Sequence, residues 1–160
     1  PAYAAAQIIA RSYDRVLLET VLARIVKILD GAALMTETQY TAKRGRNIDN
    51  SIPIPELNAL LMENAHLVGA PKLAPPREKT GSTDFGNVCY IIPGACIRVS
   101  SDGDVYVPSH SKEAAAQGKS RECHDAVLYA SKILAASAYD LIGTPENSIR
   151  VREAFLKRKG

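Results

Sequence analysis

Apolar residues recur at intervals of three and four after Asp14: Leu17, Leu18, Val21, Leu22, Ile25, Ile28 and Leu29 fall on one stripe of a helix. Ser12 or Asp14 is placed to accept from the orphan amides at its start, and Gly31 to release the chain at its end. Residues 4–11 are short, apolar and bounded by polar positions, which predicts a strand. Residues 36–43 alternate between apolar and polar and predict a second. The first part of the chain therefore reads as a strand-helix-strand unit.

Residues 44–55 are rich in Asn, Asp, Gly, Ser and Pro and read as a crossing between domains. Pro55 suits the first turn of a helix, where its missing donor costs nothing, and Leu57, Leu60, Leu61 and Ala65 then share one face. That helix should stop near Gly69, and the prolines at 71, 75 and 76 make residues 70–80 a surface connection. Residues 88–92 form a continuous apolar run of strand length, as in a strand buried on both faces. Residues 95–100 predict its neighbour, turned at Asp102-Gly103 to pair with 105–107. A short helix over 112–117 precedes a long one from Ser120 to Gly143, whose buried stripe is expected to be Cys123, Val127, Ala130, Leu134, Ala138 and Leu141. Ala135, Ala136, Ser137 and Ala138 would let that helix approach a neighbour closely. A last helix starts near Pro145. Strands interleaved with helices imply an α/β fold.

Composition narrows the classes without choosing among them. The 160 residues are 46% hydrophobic and 23% charged, ordinary values for a folded chain, and suffice for one domain or parts of two. No stretch reads as an apolar membrane span and no cationic-apolar leader is visible, which makes a cytoplasmic location the expectation. The formal net charge is +3, with basic residues at Lys43, Arg44 and Arg46 and again near the C-terminus. They are not interleaved with aromatics, so a solvated surface is expected and nucleic-acid binding is not. Cys89, Cys96 and Cys123 form no Cys-x-x-Cys and read as reduced thiols.

Two segments carry the candidate chemistry. The run 81–87, Gly-Ser-Thr-Asp-Phe-Gly-Asn, offers glycine-freed amides, two hydroxyls and a carboxylate, suited either to holding a substrate carboxylate or to a plain turn capped by Ser82 or Thr83. The run 108–113, Pro-Ser-His-Ser-Lys-Glu, places His110 in a loop, with Ser111 and Glu113 near enough to orient its second ring nitrogen. His110 is either a zinc ligand or an ordinary surface histidine. His124 inside the long helix and His66 before a helix end favour structural roles. Asn47 and Asn50 in the crossing segment are candidates to donate to a substrate carbonyl, or simply turn residues.

In order along the chain, Gly81-Ser82-Thr83-Asp84-Phe85-Gly86-Asn87-Val88 with Pro93, His110-Ser111-Lys112-Glu113, and Glu122-Cys123-His124-Asp125-Ala126-Val127-Leu128 resemble three segments of the dizinc aminoacylase/carboxypeptidase metallohydrolases. The branch resembled is the amidohydrolase one that includes p-aminobenzoyl-glutamate hydrolase-like and aminoacylase-like proteins. The resemblance implies an α/β zinc-exopeptidase-like catalytic domain over residues 47–160. It also implies the second half of a ferredoxin-like lid or dimerisation domain over 1–46. It makes His110 a metal ligand with Glu113 as its outer-shell partner. Ser82, Thr83, Asp84 and Asn50 would stand on the substrate side, and the cofactor would be one or two zinc ions. Where some relatives carry a histidine after the Ile-Pro strand, this chain has Ala95-Cys96.

The resembled family's other ligands and its general-base glutamate lie in a stretch without counterpart here, since the chain has no His-x-Asp and no Glu-Glu pair. The expectation is the C-terminal part of an enzyme that hydrolyses the amide bond of N-acyl or N-aroyl amino acids or dipeptide-like substrates, with no catalytic residue of its own and no activity alone. A different class of reading makes the chain a non-catalytic truncated homologue, acting as an interaction or self-association module. The least favoured is a small metal-binding domain using His110 and Cys96. Self-association into a homo-oligomer is expected, because an orphaned edge strand invites pairing with another copy.

Overall fold

A computed structural model describes residues 2–71, 73–74, 83–101 and 107–159. It contains six helices among these residues, α1 (Arg15–Thr36), α2 (Pro55–Leu67), α3 (Phe85–Cys89), α4 (Lys112–Gln117), α5 (Arg121–Gly143) and α6 (Pro145–Lys159), and no strand. The described chain is all-α, which overturns the α/β expectation and with it the strand-helix-strand unit. Residues 4–11 and 94–100 belong to neither helix nor strand, and the expected strand at 36–43 begins with the last residue of α1. The run at 88–92 was expected to be buried. It instead forms the end of α3 and a turn, leaving Ile91 75% and Ile92 55% exposed. A run of β-branched residues becomes a strand only when another backbone offers a ladder, and none does among the described residues. The Asp102-Gly103 turn and positions 105 and 106 lie outside the described residues.

The chain divides into two compact units, Pro1–Ser51 with Gly81–Asn87, and Ile52–Thr80 with Val88–Gly160. In the first, the Asp14 carboxylate caps α1 by accepting from the Leu17 amide at 2.8 Å. Gly31 does not end this helix; it continues for five more residues to Thr36, where Glu37 turns left-handed at φ 53°. The chain then runs back along α1: Tyr40 donates to Asp30 at 2.6 Å, and Arg44 reaches Glu19 about three turns nearer the start. The expected stripe is only half-buried at Leu18, Val21, Leu22, Ile25 and Leu29, and α1 has no fully buried residue.

The second unit holds most of the core. Helices α2, α5 and α6 pack on one another, burying Leu57, Leu60, Leu61 and Ala65 from α2, Ala126 and Ile133 from α5, and Val151 and Phe155 from α6. Ile54, just ahead of α2, is fully buried. Pro55 opens α2, and Gly69, at φ +72°, supplies the left-handed residue beyond its end. Ser120 caps α5 through the Cys123 amide at 3.1 Å.

The buried stripe of α5 is not the expected one. Ala126, Ile133 and Ser137 face the core, while Val127 is 61% and Leu134 53% exposed. The helix carries two adjoining apolar faces, and α2 and α6 cover only one. By length and composition alone, α5 is apolar enough to cross a membrane. Its Ile133 side instead packs within the helix trio.

A buried polar cluster fixes that trio. The Asn64 amide nitrogen on α2 donates to Asp140 Oδ2 at 2.8 Å and Ser137 Oγ at 3.3 Å, both on α5, and to Leu60 O at 3.1 Å. Asn147 on α6 donates to the Asp140 carbonyl at 3.3 Å. Ser137, among the small residues expected to permit close approach, is buried and takes one of the two hydrogen bonds from Asn64 to α5, the shorter going to Asp140. A buried amide costs stability unless partnered, so these bonds also fix the helix register.

Candidate functional site

The loop that carries His110 is shaped by its neighbour. Ser111 Oγ accepts from the Ala114 amide at 3.0 Å and donates to the Pro108 carbonyl at 2.8 Å, tying the turn to the start of α4. His110 itself is left-handed at φ 62°, a conformation that non-glycine residues seldom adopt, and it is exposed. Glu113 is exposed in the first turn of α4.

The second candidate segment lies in the other unit. Thr83 Oγ1 accepts from the Phe85 amide at 3.4 Å, and the carbonyls of Thr83 and Asp84 accept from Gly86 and Asn87 at 3.1 and 3.0 Å. The local arrangement is thus a capped turn entering α3. Thr83 and Asp84 are both exposed, and Ser82 lies outside the described residues.

Asn87 joins this turn to the crossing segment. Its amide nitrogen donates to the Asn47 carbonyl at 3.2 Å, and its Oδ1 accepts from the Asp49 amide at 3.3 Å. Arg15 pairs with Asp49 at 3.3 Å, and the Arg15 amide donates to Asn50 Oδ1 at 3.1 Å. Asn47 and Asn50 are therefore engaged in holding α1, the crossing segment and α3 together. Sequence reasoning assigned Asn87 no role of its own, although the Gly-Asn dipeptide at 86–87 was visible.

Electrostatics in this unit centre on Glu19. Its hydrogen bond from Arg44 holds its carboxyl below the usual range, with burial opposing and the Arg44 charge assisting. Arg44 is correspondingly raised by its bond to Glu19. The Tyr40 hydroxyl is raised by its bond to Asp30. All three are surface groups whose charges solvent screens.

A zinc ion in a protein takes three or four N, O or S donors. Among the described residues, no three His, Cys, Asp or Glu side chains gather to hold a metal. Cys96 is exposed, His66 sits in the last turn of α2, and His124 lies exposed on α5. No family model matches the chain, and no curated protein matches it.

Proposed function

We propose that this chain is part of a metal-dependent amidohydrolase acting on N-acyl or N-aroyl amino acids or dipeptide-like amides. His110 contributes one metal ligand, and the remaining ligands and the general-base glutamate come from polypeptide outside this chain. The observation that carries the reading is the ordered set of three segments, 81–93, 110–113 and 122–128, in one chain. His110 is exposed, in a loop tied to α4 by the Ser111 cap, as an ordinary surface histidine would also be. The test is metal content and hydrolysis of N-acetyl and N-benzoyl amino acids by the complete gene product. His110→Ala should lower metal stoichiometry and reduce turnover by at least about a hundredfold. Undiminished metal content and turnover in that variant would remove His110 from the site.

A second reading, a self-association module, is favoured by the absence of any buried residue in α1 and by exposed apolar positions there, including Ile28, Leu34 and Met35. Exposed apolar clusters of this kind mark interaction surfaces. Light scattering of the isolated chain tests this reading: a monomer at all concentrations opposes the module, and a concentration-dependent oligomer is the outcome it requires.

A further inference from the structure

Pro108 and Ser111 stand at the two ends of the turn that carries His110, and among the described residues no backbone hydrogen bond joins them. The Ser111 hydroxyl supplies that closure instead, donating its one proton to the Pro108 carbonyl at 2.8 Å. The same oxygen accepts from the Ala114 amide at 3.0 Å, so the turn and α4 are joined through one atom. The far end of α4 is tied back by Gln117, whose side-chain amide donates to the Ser101 carbonyl at 2.8 Å.

His110 is left-handed inside this closed turn, at φ 62°. In that conformation Cβ crowds the following carbonyl, so a residue other than glycine keeps it only when its surroundings impose it. The backbone of His110 sets where its Cβ points, and with it the directions open to the imidazole. Ser111 is half-buried, and both of its hydrogen bonds go to main-chain groups. It therefore acts on the backbone around His110 rather than on the ring.

We propose that Ser111 is a positioning residue for His110. Its donated bond to Pro108, not its capping of α4, holds His110 left-handed and fixes the direction in which the imidazole is presented. The inference rests on the reading of His110 as a metal ligand. A ligand already held in one direction gives up less freedom on meeting an ion than one on a mobile loop.

Three variants separate the two bonds. Ser111→Thr keeps donor and acceptor. Ser111→Asp keeps only the acceptor, since an ionised carboxylate caps a helix as serine does but has no proton to give. Ser111→Ala removes both. Three-bond couplings and backbone chemical shifts at His110, measured by NMR on the chain, report the sign of φ. His110 should stay left-handed in wild type and Ser111→Thr and move to negative φ in Ser111→Asp and Ser111→Ala, while the Ala114 amide stays protected from exchange in Ser111→Asp. A left-handed His110 in Ser111→Asp would assign the effect to helix capping and overturn the proposal, as would a left-handed His110 in Ser111→Ala. The second readout is zinc affinity of the complete gene product by chelator competition. Ser111→Ala should weaken it about tenfold or more and Ser111→Thr should restore it, the scale of a lost supporting contact. Undiminished affinity in Ser111→Ala would overturn the positioning role. Full zinc binding in His110→Ala, with the couplings as expected, would instead overturn the hydrolase reading and leave the Ser111 control of His110 standing.

Discussion

Gly86 lies so close against the backbone of Asp49 that a β-carbon at position 86 would stand 1.9 Å from the Asp49 carbonyl oxygen. Side-chain atoms do not approach carbonyls at that distance, so any residue but glycine displaces one of the two segments. The neighbouring Asn87 bonds the crossing segment just ahead of that contact, at the Asn47 carbonyl and the Asp49 amide.

Gly86→Ala is expected to destabilise the first unit by about 1–3 kcal/mol, the scale of forcing extra volume into a packed contact. The check is the urea midpoint, together with amide shifts at residues 47–50. Asn87→Ala should move the same amides without the steric clash. An unchanged midpoint and unmoved amides in Gly86→Ala would argue against the contact.

Adjacent residues on α5 should behave in opposite ways. Ile133 is 3% exposed and Leu134 53%. Truncating a buried Ile to Ala costs about 2–5 kcal/mol. Ile133→Ala should therefore lose that much in chemical denaturation, while Leu134→Ala changes stability by about 0.5 kcal/mol or less. The reverse order would restore the stripe expected from sequence.

Asn64→Ala should cost about 1–3 kcal/mol, because it removes the donor shared by Ser137 and Asp140 at a largely buried position. The paired measurement is Ser137→Ala. The two losses should fail to add in the double variant, since both belong to one cluster.

Stability should also depend on pH through two surface groups. The Glu19 carboxyl is held low, chiefly by Arg44, so its contribution is present above the unfolded-state value and is lost as pH falls through the folded one. The Tyr40 hydroxyl is held high, chiefly by Asp30, so its contribution is present below the unfolded-state value and is lost as pH rises through the folded one. Thermal melts of Arg44→Gln against wild type should converge at acid pH. Those of Tyr40→Phe should converge with wild type at strongly alkaline pH. Parallel curves would show that the pairs contribute nothing.

Helix signals were well legible in the sequence where they were local. Asp14 and Ser120 cap the helices they precede, Pro55 opens α2, and the short helix over Lys112–Gln117 stands where its pattern placed it. These features depend on side chains and amides within a few residues of each other. The candidate loops were partly legible for the same reason: Thr83 caps its turn, and Ser111 ties the turn that holds His110. What sequence could not supply was the partner of each segment. The contacts of Asn87 span about forty positions, and those of Asn64 more than seventy.

The amino-acid order alone determined where α2, α4 and α5 begin, and which residues of α2 turn inward, because caps, proline geometry and one unambiguous apolar face act locally. Tertiary structure decided the rest. It left the apolar runs at 4–11 and 88–92 without a ladder, and it buried Ile133 in place of Leu134. A strand exists only against another strand, and a helix with two adjoining apolar faces buries whichever one its neighbours reach; both depend on residues distant in the chain.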